Sequence, residues 1–85
     1  MKLENADLSS LFSNTLLPDI FFSEYLSEAS GDFIKVYLYM VFLSKYDKDI
    51  KVNDLSKKLV LPLKTIQDAV KYWEEQGLIT KKNTG

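Results

Sequence analysis

Lys57, Lys58, Lys64, Lys71, Lys81 and Lys82, with Thr65 and Gln67 interleaved among them, are the side chains of this sequence best placed to meet a ligand. Ammonium groups recurring along helices, with short polar donors between them, suit a phosphate backbone or a docking surface for another protein. Other chemistries are poorly served. The absence of histidine and cysteine removes the usual zinc ligands, the usual general base and any thiolate nucleophile. Asp47 and Asp49 begin like a calcium loop, but Lys51 and Val52 stand where that loop requires an oxygen ligand and a glycine. Glu74 and Glu75 are neighbours on a helix and point in different directions, so they make no acid and base pair. Gly31, Gly77 and Gly85 are scattered and cannot cradle a phosphate. No cofactor is expected, and the chain is expected not to be an enzyme.

Charge narrows the polyanion reading further. Eleven lysines and twelve acids leave a net charge of −1, whereas a self-sufficient nucleic-acid binder is usually basic. Arginine, whose planar fork reads guanine and clamps phosphate, is missing altogether. Residues 1–50 hold 4 lysines against 8 acids, and residues 51–85 hold 7 against 4, so any polyanion contact belongs in the second half. Asp68, Glu74 and Glu75 lie among those lysines and repel phosphate. A solvated face or weak, non-specific DNA contact is therefore favoured over base readout.

The scaffold for these residues has to be small. A chain of 85 residues buries only about 60–65% of its unfolded surface and has room for one domain. Its longest apolar run, residues 33–43, is interrupted by Lys35 and falls well short of the roughly 20 residues needed to cross a bilayer. The start of the chain lacks the apolar core of a signal peptide. A cytoplasmic protein without a membrane span is expected.

Along the chain, Leu8, Leu11 and Phe12 sit at helical spacing within an N-terminal arm, residues 1–17. Pro18 opens a predicted helix over 18–29. Ser30 or Asp32 caps a second over 33–46, too long for a strand despite its β-branched and aromatic content. Ten of the eleven residues in 33–43 are apolar or aromatic, so this helix must be covered on nearly every side. Its least apolar stripe, Lys35, Tyr39, Phe42 and Tyr46, is still mostly aromatic. Residues 50–52 alternate like a short strand, Asn53 is a candidate N-cap, and helices are predicted over 54–59 and 63–76, with Gly77 as the stop. Leu78-Ile79-Thr80-Lys81-Lys82 reads as a strand and Asn83-Thr84-Gly85 as the start of a hairpin turn.

Strand, short helix, tight turn, longer helix and Gly-Leu-Ile strand form the order of a winged helix-turn-helix, with Leu55 and Leu59 packing on Ile66, Val70 and Trp73. The predicted class is mainly α with a small β-sheet: an arm over 1–17 and a winged-helix domain over 18–85 with its wing incomplete. The chain is accordingly expected to belong to a longer protein.

The stretch Ala69-Val70-Lys71-Tyr72-Trp73-Glu74-Glu75-Gln76-Gly77-Leu78-Ile79, with Lys35-Val36-Tyr37-Leu38-Tyr39 and Thr15-Leu16-Leu17-Pro18-Asp19-Ile20-Phe21-Phe22, resembles the N-terminal winged-helix domain of the DnaD and DnaB-like primosomal proteins of Gram-positive bacteria. The resemblance covers residues 14–82, and Tyr-Trp-Glu before Gly-Leu-Ile is its more specific part. It implies an oligomerisation and protein-docking module of a replication initiation factor, whose stronger DNA binding resides in a separate C-terminal domain. The implied partners are a second copy and other replication initiation proteins. Leu8, Leu11, Phe12, Tyr39, Phe42 and Tyr46 would form the self-association face. Burial of the three aromatic residues beneath the arm of the same chain is the competing reading, and the two combine if one chain's arm covers its neighbour. A DNA-reading winged helix of a transcription regulator is the alternative function.

Overall fold

The computed structural model describes residues 1–2, 14–46 and 49–80. Pro18 is followed by a π-helical turn, Phe21–Tyr25, in place of a regular helix over 18–29. The Leu26 amide donates to the Phe21 carbonyl at 2.9 Å, one residue further back than an α-helix allows. The wider turn places Phe21 in the core and Tyr25 half inside, while Ile20, Phe22 and Leu26 face out.

Helix α1, Gly31–Ser44, starts at Ser30, which is extended and accepts from the Phe33 amide at 3.2 Å; Ser30 therefore caps it, and Asp32 sits in the first turn against the positive end of the helix. Helix α2, Val52–Leu59, and helix α3, Leu63–Glu75, are joined by the three residues 60–62. Both closures follow the same pattern. After α3, Gly77 takes a left-handed φ of 78°, the Leu78 amide returns to the Trp73 carbonyl and the Gly77 amide to the Glu74 carbonyl. After α2, Val60 adopts the left-handed conformation (φ 56°, ψ 51°) and the Leu61 amide returns to the Ser56 carbonyl. A β-branched residue is doing what glycine usually does.

Helix α3 is the element on which α1 and α2 both pack. Trp73 lies at the centre, fully buried, with ring centroids 4.7 Å from Tyr37, 5.8 Å from Phe21 and 5.8 Å from Tyr25. Its indole N–H donates to the Phe33 carbonyl at 2.8 Å. Leu55 and Ile66 are buried, with Leu59 and Val70 packed against them, so the expected packing of α2 on α3 is present.

No strand forms among the described residues, and the predicted winged architecture with a small sheet is overturned: the fold described is all-helical. Residues 49–51 are an extended lead-in without a ladder. Val52 opens α2, Lys51 is its N-cap, and Asn53 lies inside the helix. The alternation at 50–52 serves burial instead of pairing, since Ile50 and Val52 pack on the core while Lys51 stays in water. Leu78 and Ile79 likewise lean on the core, which accounts for their apolar character without a strand partner. Lys81, Lys82 and the predicted turn at 83–85 lie outside the described residues, as do Leu8, Leu11, Phe12 and Asp47.

Two consequences are measurable. Val60 is 85% exposed, so its side chain gains little from packing in return for a left-handed backbone that costs about 1–2 kcal/mol. Val60→Gly relieves that strain against a glycine entropy cost of about 0.5–1 kcal/mol. A rise in urea midpoint equivalent to about 0.5–1 kcal/mol is expected; a fall would show that the valine is held by contacts. Burial pushes the Tyr37 phenol up, because the neutral form suits the apolar core. Its raised value gives stability that is complete below the ordinary tyrosine value of about 10 and is lost as pH rises through the folded value. Tyr37→Phe should flatten the alkaline loss of stability in urea titrations above about pH 10, and an unchanged slope would assign that loss elsewhere.

Candidate docking surface

The apolar run of α1 is sorted by the helix into an inner and an outer face. Val36, Tyr37 and Met40 are buried against α3 and the π-turn, with Phe33 and Leu43 half-buried beside them. On the opposite side, Lys35, Leu38, Phe42 and Tyr46 are open to water, and Tyr39 lies half-buried at their edge. The exposures of Leu38, Phe42 and Tyr46 are 38%, 37% and 50%, enough to leave a continuous apolar stripe. The rings are coupled: Tyr39 and Phe42 centroids are 5.6 Å apart, and Phe42 and Tyr46 meet edge to face at 5.5 Å.

Lys45 organises one end of this stripe. Its Nζ lies 5.9 Å from the Phe42 centroid and 5.8 Å from that of Tyr46. The same ammonium donates to the Asn14 carbonyl at 2.8 Å and to Thr15 Oγ1 at 3.4 Å. The described part of the arm, residues 14–17, therefore passes the end of α1, with Leu17 packed on the core and Leu16 exposed. Nothing in the local spacing signals this contact, since its partners are about thirty positions apart. Leu38 was also absent from the stripe as read from the sequence, because the most polar residues of α1 and its outermost ones are not the same set.

The lysines behave differently. Lys57 and Lys58 are exposed in the last turn of α2, and Lys64, Gln67 and Lys71 are exposed on α3, with Thr65 half-buried. Lys64, Asp68, Lys71 and Glu75 share the outer face of α3, so the charge alternates along it. The Lys64 ammonium pairs with the Asp68 carboxylate at 3.6 Å. Such a face presents no continuous positive path to a phosphate backbone. Among the described residues no three potential metal ligands come together. A cleft of about 310 Å³ between α1 and α2 has Tyr39, Leu43, Ile50 and Leu55 as its apolar walls. Asp49, Asp54, Lys51 and Lys58 balance the charge at its rim.

The alternation on α3 leads to a direct expectation. In an anisotropy titration of a labelled duplex at about 150 mM salt, binding should not saturate at tens of micromolar protein. Saturable binding that Lys64→Glu abolishes would show that the lysines do form a nucleic-acid face. No family model, curated protein or solved structure matches the chain.

Proposed function

We propose that this chain is a non-catalytic assembly module, which self-associates and docks partner proteins through the outward face of α1, with at most weak non-specific DNA contact. The observation that carries this reading is the stripe of Leu38, Phe42 and Tyr46, edged by Tyr39, left open to water in a domain with few apolar elements to spare. The driving force is removal of apolar surface from water, at roughly 25 cal/mol per Å², with aromatic anchors contributing most per side chain. The likeness of residues 69–79 to the primosomal proteins supports placing this assembly role in replication initiation, with other initiation proteins as the further partners.

The reading is tested at Phe42, which is on the stripe and outside the core. Phe42→Asp should weaken self-association roughly tenfold or more, seen as a shift of light-scattering mass toward monomer, while helical circular dichroism is retained. A mass unchanged across the concentration series would remove this face from the assembly.

A further inference from the structure

Apart from the α1 stripe, apolar residues are exposed at both ends of α3, in surroundings of opposite charge. At the end where Phe21 and Tyr25 lie 5.8 Å from Trp73, the π-turn leaves Ile20, Phe22 and Leu26 open to water. Residues 14–34 bring Asp19, Glu24, Glu28 and Asp32 to that end and no lysine. At the other end, the turn from α2 into α3 exposes Val60 and Leu63. Residues 55–67 bring Lys57, Lys58 and Lys64 there and no acid. Ten positions along α3 separate Leu63 from Trp73, about 15 Å, so the two patches lie apart within one chain. We propose that the lysine-ringed turn of one copy docks on the acid-ringed π-turn of the next, a head-to-tail contact that does not use the α1 stripe.

Charge selects the pairing. Two acidic ends brought together repel, as do two lysine-ringed turns, whereas acid on lysine attracts and sets apolar surface on apolar surface. Among the described residues, Asp19, Glu24 and Glu28 take part in no ion pair. Lys64 shares its charge with Asp68, 3.6 Å away, and Asp54 lies one turn back on α2, so Lys57 and Lys58 carry most of the attraction. The backbone adds an independent sign. Val60 keeps a left-handed φ of 56° while its side chain is 85% exposed, strain that no packing inside the chain offsets. Strain of this kind persists at binding surfaces. Because the contact joins two different patches, a pair still has one of each open, and growth continues past two copies unless the rotation closes a ring. Few apolar residues meet, so the contact is weak and readily diluted apart.

Complementation isolates this contact. Val60→Gly/Leu63→Ser strips the apolar turn, and Phe22→Ser/Leu26→Ser strips the apolar end; both leave every charge and the α1 stripe in place, and circular dichroism checks their helicity. Each variant, labelled, is titrated against itself and against the other. The mixed pair retains one intact contact and either variant alone retains none. The mixed pair should therefore bind roughly fivefold tighter or more than either self-pair, and the difference should shrink as salt rises from about 50 to about 500 mM. Association through α1 contributes equally to all three titrations, so failure of Phe42→Asp to change the mass leaves this contact standing, and the reverse also holds. Equal affinities in the three titrations would overturn the head-to-tail contact. Self-binding by Val60→Gly/Leu63→Ser as tight as the mixed pair's would overturn it too, because that association proceeds without the turn.

Discussion

The hydrogen bond from the Trp73 indole to the Phe33 carbonyl, made inside a cage of aromatic rings, is the contact on which the rest of the domain depends. It joins the last turn of α3 to the first turn of α1, elements separated by forty positions in the chain. Phe33 is the residue whose amide is held by the Ser30 cap, so the cap and the indole fix one turn from two sides. The Tyr37 and Phe21 rings, 4.7 Å apart and nearly parallel, fill the space between that turn and the π-turn. A domain this short has few alternative ways to exclude water from its centre. With α1 clamped in this manner, the orientation of its outer stripe is already decided.

Much of the helical framework was legible in the residues, for identifiable reasons. Ser30 before an unbroken apolar run, Pro62 before a run with apolar positions at three and four, and Gly77 after it are local signals that act within one turn. Trp73 in register with Ile66 announced its own burial. The sheet was misread because alternation over three residues has two solutions: pairing, or an extended lead-in that buries Ile50 and Val52 between a pair of exposed neighbours. Only a partner strand distinguishes them, and a partner is not a local property. The π-turn was equally out of reach, since residues 18–29 carry ordinary helical spacing and the extra residue is accommodated by packing on Trp73.

The candidate surfaces differ in the same way. The outer aromatic stripe of α1 was partly visible, because periodicity singled out Lys35, Tyr39, Phe42 and Tyr46 as the residues furthest in character from the core. Which of them reach water depended on where α3 sits, and that added Leu38 and half-withdrew Tyr39. The lysines of α2 and α3 looked like a basic surface when counted and look like a mosaic when placed. Lys64 and Asp68 are one turn apart on the same face, so charges that add in a tally cancel in space.

The chain has a single tryptophan, and that residue is the fully buried hub. An indole shielded from water and ringed by phenyl and phenol groups emits at shorter wavelength than a hydrated one, and its three ring neighbours from other elements, Phe21, Tyr25 and Tyr37, leave it together when the fold opens. The molecule thus carries a built-in optical gauge of its own cohesion. A red shift in its fluorescence reports separation of α1, α3 and the π-turn at once, with no added label.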